Sequence, residues 1–304
     1  MKQKIYSKVE DLPSSMADDS ITEGCLVLEG GGWRGLYTLG VLDCLMVNSI
    51  NFRTTIGISA GALSGLGYTA GQIGWGARVD LYYRHDPKYC GMVAMLYEKG
   101  IMGYRYLFNR IVKELPLDRK RLRETPRELF VGATNLETGE LEYFEKSGGN
   151  ILAASAASAS VPYVTKPVLI DGIPYLDGGC AEKIPYHFAK DRKEKKIIVV
   201  KTREREYRRK KGKKTMPSLI YHKYPRFVDA ISHTNEKFNL MMEELNEDER
   251  AGKVFIIAPE RKVEVTRFER DMEKLGELYW QGYREAESLL PDLREYLKTA
   301  PDQT

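Results

Sequence analysis

Histidine and cysteine are scarce in this chain, at four residues each among 304. Cys25, Cys44, Cys90 and Cys180 form no CxxC pair, and His85, His187, His222 and His233 are equally dispersed. That spacing excludes a zinc-finger-like metal site and a disulfide scaffold. No metal or cofactor is expected, and reduced thiols point to a cytoplasmic setting. A strong charge of one sign is missing too. Lys and Arg total 47 against 43 Asp and Glu, a net of +4, too mild to announce a nucleic-acid partner. The opening residues, MKQKIYSKVEDLPSSMADDS, lack the apolar core of a secretory signal. Long hydrophobic runs are also wanting. Thr54 to Ala77 is uncharged and long enough to cross a membrane, but it carries glycine at 57, 61, 65, 67, 71, 74 and 76. Each glycine costs a helix about 1 kcal/mol relative to alanine. The stretch therefore reads as a buried turn and helix, not a span.

What is present is a sizeable core. With 42% apolar and 30% charged residues, the composition excludes wholesale disorder. A folded monomer of 34.7 kDa buries about three quarters of the surface of its unfolded chain. Residues 1–22 read as a loose polar arm and 299–304 as a loose tail, with one domain over 23–298. Gly24 to Glu29 is a short buried strand followed at once by Gly30-Gly-Gly-Trp-Arg-Gly35. Leu36, Leu39, Leu42 and Leu45 then recur at helical spacing. Phe52 to Ile58 is a second strand, running into Gly57-Ile-Ser-Ala-Gly61 and a helix of small residues. Strand, glycine turn and helix thus occur twice in 70 residues, as an α/β protein with a mostly parallel sheet begins.

Residues 78–127 read as mainly helical, and 128–134, 140–145 and 196–201 as strands. Residues 151–160 form a small-residue helix stopped by Pro162. Asp171-Gly172 joins two strands in a hairpin, Lys253 to Ala258 is the last strand, and Met272 to Leu289 line one face of a C-terminal helix.

Gly30-x-Gly32-x-x-Gly35 has the GxGxxG form. A dinucleotide site needs an acidic residue at the end of the second strand to hold a ribose, and that strand ends in Ile56-Gly57-Ile58-Ser59. What remains is a row of backbone amides at a helix N-terminus, suited to a phosphate or an oxyanion. Gly57-x-Ser59-x-Gly61 has the GxSxG form of a nucleophile elbow, whose tight turn excludes larger Cβ groups two residues either side of the serine. For its base, the order Ser…Asp…His allows His187, His222 or His233, although none has a catalytic-looking context. Asp177, in Leu176-Asp-Gly-Gly179, is the stronger candidate. Asp171 has the same Asp-Gly form, and pattern alone does not separate the two.

Three blocks in order resemble the patatin-like phospholipase family of lipid acyl hydrolases: Gly30 to Gly35, Gly57 to Gly61, and Asp177-Gly178-Gly179. A fourth, Ala154-Ser-Ala-Ala-Ser-Ala-Ser-Val-Pro162, resembles the helix and proline that precede the family's base. The Asn135-Leu-Glu-Thr-Gly139 turn and the charged C-terminal third resemble its bacterial branch. The resemblance covers about residues 24–200. It implies a three-layer α/β fold with a mostly parallel central sheet flanked by helices. It also implies Ser59 as nucleophile and Asp177 as proton acceptor, a dyad without histidine. Gly30, Gly31, Gly32, Arg34 and Gly35 would form the oxyanion hole, with Gly31 and Gly32 donating amides. Gly57 and Gly61 would shape the elbow, and Gly178 and Gly179 the base motif. The chain departs from the family pattern at Tyr163-Val-Thr-Lys-Pro167, which brings Lys166 towards the acyl path. The implied substrate is a lipid or other acyl ester. A soluble-substrate esterase or thioesterase on the same site and a non-catalytic lipid- or anion-binding protein are the rival classes.

The mild net charge hides a split. Lys190 to Lys214 holds 14 Lys and Arg against four Asp and Glu, so that run carries +10 and the remainder −6. A basic strip attracts anionic lipid at about 1 kcal/mol per residue near the surface, so peripheral membrane contact is expected there and a solvated loop is the alternative. Tyrosines and methionines over 82–108 read as core packing, with an acyl pocket or lid as the alternative. Oligomeric state is not indicated.

Overall fold

The computed structural model describes residues 5–210 and 215–299. It opens with β1 (Ser15–Met16), β2 (Thr22–Leu28), α1 (Gly35–Val47), β3 (Phe52–Ile58), α2 (Ala60–Thr69), β4 (Gln72–Ile73) and α3 (Trp75–Tyr83). After α4 (Met92–Glu98), short helical turns lead to α5 (Arg119–Glu124). Then follow β5 (Glu128–Asn135), β6 (Leu141–Glu145), α6 (Ile151–Ser158), β7 (Val168–Ile170), β8 (Ile173–Asp177), α7 (Tyr186–Asp191) and β9 (Ile197–Val200). The C-terminal third contributes α8 (Pro225–Arg250), β10 (Val254–Ile257) and α9 (Met272–Lys298).

Eight strands form one sheet in the order β10-β9-β2-β3-β5-β8-β7, with β6 also paired to β5. The five strands from β10 to β5 are parallel. Cys25 to Leu28 and Ile197 to Val200 are buried without alternation, as strands covered on both faces by helices must be. The expected α/β architecture with a mostly parallel sheet is therefore present. Asp171 (φ 51°) and Gly172 (φ 84°) make the two-residue turn between β7 and β8, the left-handed pair that a tight hairpin requires.

Helix α1 is buried from Gly35 to Met46. It crosses α9 backbone to backbone. A Cβ on Gly40 would lie 2.0 Å from the Tyr279 carbonyl oxygen, and one on Gly282 would lie 2.1 Å from that of Tyr37. Tyr279 also donates to Asp43 Oδ2 at 2.8 Å, and the Gly74 amide donates to Asp43 Oδ1 at 2.8 Å. This crossing locks the C-terminal helix over the helix that follows the glycine loop.

The N-terminal segment differs from the loose arm expected over 1–22. Tyr6, Val9 and Leu12 are buried, three apolar side chains spaced every third residue within a polar sequence. The Tyr6 ring fills the notch above Gly276, where a Cβ would sit 2.2 Å from it. Arg78 donates to the carbonyls of Leu12 and Pro13, and β1 pairs antiparallel with β4. Residues 1–4 and 300–304, the ends of the expected arm and tail, lie outside the described residues. Residues 54–77 hold β3, α2, β4 and the start of α3, and among the described residues no helix is long and apolar enough to cross a membrane. Residues 78–127 are broken into several short helices.

Candidate active site

Ser59 caps the N-terminus of α2 with φ 56° and ψ −123°, a backbone that non-glycine residues hold only when their surroundings impose it. The elbow glycines impose it here. A Cβ on Gly57 would lie 2.6 Å from the Gly61 carbonyl, and one on Gly61 would lie 2.6 Å from the Leu28 carbonyl oxygen. The Ser59 amide donates to Ser158 Oγ at 2.8 Å, and Ser158 Oγ donates to the Gly132 carbonyl at 2.5 Å. Helix α6 thus holds the elbow from the far side of β5.

Strand β5 aligns the two reactive groups. Its Gly132 faces Ile58 of β3, and its next residue, Ala133, faces Asp177 of β8. Since β6 pairs with the same Ala133 and Thr134, β8 must run along the β3 edge where β3 stops. Asp177 therefore arrives beside Ser59, and Ser59 Oγ donates to Asp177 Oδ2 at 2.8 Å. Gly178 permits the approach, because a Cβ there would lie 2.3 Å from the Gly132 carbonyl oxygen. The Gly179 amide donates to Asp177 Oδ1 at 2.7 Å, and Thr134 Oγ1 donates to the Asp177 carbonyl at 2.9 Å. Burial pushes the Asp177 carboxyl above its usual range. The Gly179 amide, the Ser59 hydroxyl, Arg267 and Lys183 oppose that rise.

Lys183 Nζ donates to the Gly179 carbonyl at 2.6 Å, and the Lys183 carbonyl accepts from the Gly30 amide at 3.3 Å. One lysine therefore ties the base segment to the glycine loop. Burial, with Arg209 and Arg267 nearby, pulls its ammonium down to about 8.

The glycine loop divides its labour differently from the expectation. The Gly30 amide is already committed to Lys183, and its missing Cβ makes room for Ser59 Cβ, 3.0 Å from where it would stand. The Gly35 amide closes a turn onto Gly32 and Trp33, and its missing Cβ accommodates Ala60. Gly31 and Gly32 are left as free amides, with no acceptor among the described residues. Arg34 is buried but borders neither cavity that reaches Ser59. Gly30, Gly35 and Arg34 thus have packing or hydrogen-bonding duties within the loop, and the amides without an acceptor among the described residues are those of Gly31 and Gly32.

None of the histidines approaches Ser59. His187 Nε2 meets Glu244 at 2.8 Å, His233 meets the Asp229 carbonyl at 2.9 Å, and His222 sits beside the Leu219 carbonyl. Asp171 lies exposed in its hairpin turn.

Ser59 stands where two cavities meet. One is apolar, lined by Leu39, Leu63, Trp75, Val79, Met102 and Leu107. The other is polar, and Asp177, Lys183, Arg209, Asn235 and Arg267 border it. Lys166 borders neither and is exposed. The Tyr- and Met-rich segment contributes Tyr89, Ile101, Met102 and Tyr104 to the apolar wall.

The model of the patatin-like phospholipase family matches residues 26–190, more than half of the chain, and spans the glycine loop, the elbow and the base. The chain belongs to the patatin-like phospholipase family. A second model, a domain of unknown function (DUF6363), matches residues 224–298, which hold α8, β10 and α9. The uncharacterized protein YjjU of Escherichia coli K12 is 29% identical over 182 residues, 58% of this chain and 51% of that protein. The chain thus spans about half the length of that relative. The "Probable lipid hydrolase 463L" of Invertebrate iridescent virus 6 is 27% identical over 201 residues, 58% of this chain and 69% of that protein. Among solved structures, VipD from Legionella pneumophila superposes with a TM-score of 0.50 at 16% identity, covering 92% of this chain and 70% of that one. That likeness is one of patatin-like fold.

Several described residues of the basic run are held in ion pairs or hydrogen bonds. Lys190 pairs with Glu244 and Asp248, Arg192 with Glu128 and Glu194, and Arg205 with Glu249. Lys201 and Arg203 donate to the carbonyls of Glu204 and Val263. Lys211 to Lys214 lie outside the described residues. Among the described residues of the run, Arg209 is the one that borders the polar cavity. It and Ser158, Lys183 and Arg267 escaped the sequence reading, because a lysine in a loop or a serine in a small-residue helix carries no periodic or motif signal.

Proposed function

We propose that this patatin-like chain is a serine acyl hydrolase that cleaves the carboxylic ester of a lipid. The observation that carries the reading is the 2.8 Å hydrogen bond from Ser59 Oγ to Asp177 at the junction of an apolar cavity and two free glycine amides. Ser59 Oγ attacks the ester carbonyl while its proton passes to Asp177 Oδ2. Negative charge gathers on the carbonyl oxygen, where the Gly31 and Gly32 amides and the N-terminus of α2 favour it. Each such donor is worth about 3 kcal/mol of barrier. The C–O bond then breaks, Asp177 returns the proton to the leaving alcohol, and an acyl-Ser59 ester remains. Water repeats the sequence: it attacks the acyl carbonyl and gives a proton to Asp177, the C–O bond to Ser59 breaks to release the acid, and Asp177 returns the proton to Ser59 Oγ. A carboxyl raised by burial is a better base than an ordinary one.

Ser59→Ala and Asp177→Asn should each lower p-nitrophenyl ester hydrolysis by at least about a thousandfold with circular dichroism unchanged. Turnover surviving Ser59→Ala, or no labelling of Ser59 by a fluorophosphonate probe, rejects the reading. The apolar cavity favours acyl chains longer than butyryl. A profile peaking at acetyl or butyryl esters would indicate the soluble-substrate esterase instead.

Contact with a lipid surface is better supported at α4 than along the basic run. Met92, Leu96 and Tyr97 are each more than 70% exposed. The helix lies between Cys90 and Ile101, both in the wall of the apolar cavity. Exposed apolar side chains at the mouth of an acyl site suit a membrane interface.

A further inference from the structure

The polar cavity beside Ser59 concentrates cations that the proposed chemistry does not use. Lys183, Arg209 and Arg267 border it with Ser59 and Asp177. No carboxylate pairs with any of the three among the described residues. The acids nearest in effect have other partners, although Glu29 keeps Oε1 buried without one. Asp177 accepts from Ser59 and Gly179, and Glu29 Oε2 accepts from the Thr202 amide and hydroxyl.

Arg209 is built in place. Its amide donates to Asn239 Oδ1 at 2.8 Å and its carbonyl accepts from Asn239 Nδ2 at 2.9 Å. Its guanidinium lies over Phe238 at 4.8 Å and Tyr207 at 5.5 Å. Its Nε is buried without an acceptor, as are those of Arg34 and Arg203. These cations are close enough to disfavour one another's charge. Burial first pulls the Arg209 guanidinium down, Glu29 and Tyr207 oppose that, and Arg267 and Arg203 add to it; burial and then Arg209 pull Lys183 down, with Arg267 adding less. Arg209 Nε, buried with no acceptor, is unfavourable unless an anion completes it, while Lys183 also donates to the Gly179 carbonyl and Arg267 reaches the cavity from an exposed position.

We propose that Lys183, Arg209 and Arg267 form an anion subsite on the alcohol side of the nucleophile, taking a phosphate carried by the alcohol part of the ester. The inference rests on the acyl-hydrolase reading for its orientation. An acyl chain in the apolar cavity places the scissile carbonyl at Ser59 and sends the alcohol towards Arg209. In a glycerophosphate ester the phosphate follows within a few bonds. Guanidinium groups bind phosphate through charge-assisted, paired hydrogen bonds, and the same three cations repel a quaternary ammonium. The subsite therefore selects a phosphate monoester or another net-anionic head group over a choline head group.

Binding to the full-length Ser59→Ala protein tests this without turnover. Calorimetric titration would use dihexanoyl phosphatidic acid and dihexanoyl phosphatidylcholine, both as monomers, and inorganic phosphate. The expected result is at least about tenfold tighter binding of the phosphatidic acid than of the phosphatidylcholine. Inorganic phosphate should compete weakly. In Arg209→Gln and in the exposed Arg267→Gln that preference should shrink severalfold, and Arg209→Lys should restore part of it. Equal affinity for the two lipids, or a preference untouched in both glutamine variants, overturns the subsite. Inorganic phosphate binding as tightly as the phosphatidic acid overturns the head-group assignment in favour of a free anion. Fluorophosphonate labelling of wild-type Ser59, run in parallel, reports the acyl-hydrolase reading separately.

Discussion

Asp177 and the cations around it set a pH dependence that can be read residue by residue. Its carboxyl is raised by burial and held back by Gly179, Ser59, Arg267 and Lys183. Under the proposed mechanism Asp177 accepts a proton only when deprotonated, so kcat/KM should rise with pH through its apparent pKa. Arg267 stabilises the deprotonated form, and its removal must raise that pKa further. Arg267→Gln should therefore move the acid limb of kcat/KM for a neutral p-nitrophenyl ester to higher pH, and Arg267→Glu should move it further. A limb that stays in place in both variants rejects this electrostatic link. Ser59 was legible in the sequence because its tight turn demands glycine two residues either side, whereas Asp177 was set apart from Asp171 only by the family resemblance. Lys183 and Arg209 were not, since their roles come from where α7, α8 and the intervening loop bring them.

At the level of elements, the crossing of α1 and α9 carries a buried carboxyl. Burial pushes Asp43 up to about 7, while the Gly74 amide and the Tyr279 hydroxyl restrain the rise. A carboxyl whose folded pKa exceeds its unfolded value of about 3.9 keeps its proton longer in the folded state. Its contribution to stability is thus fullest at low pH and declines as pH rises from about 4 to about 7. Asp43→Asn should flatten that decline, so the variant gains melting temperature relative to wild type at pH 8 compared with pH 5. An identical difference at both pH values would count against it. The paired strand–turn–helix units were readable from apolar runs ending in glycine. Helix α8 carries a weaker apolar signal, because charged residues separate Phe227, Phe238, Met241 and Leu245. Strands β1 and β4, two residues each, are too short to show any period.

Across the whole molecule, the first described residues act as a strap. Tyr6 reaches from the N-terminus to Gly276 of α9, and α9 lies over α1. Tyr6→Ala should destabilise the protein by about 3 kcal/mol, measured by urea denaturation, although the segment reads as a polar arm. An unchanged midpoint would mean that the contact adds nothing. The exposed face of α4 is the whole-molecule feature that bears on the substrate. Leu96→Asp with Tyr97→Asp should reduce co-sedimentation with phosphatidylglycerol vesicles severalfold, because charged groups there resist transfer into the interface. Undiminished vesicle binding would return attention to the residues beyond Lys210.

The alignment along β5 has a consequence in time. Ser59 and Asp177 are 118 positions apart, and β9, which completes the sheet beside β2, comes later still. A ribosome makes Ser59 well before Asp177, the group it hydrogen-bonds. Any fragment released short of residue 177 carries Ser59 without its hydrogen-bond partner, so under the proposed mechanism it would have no hydrolytic activity.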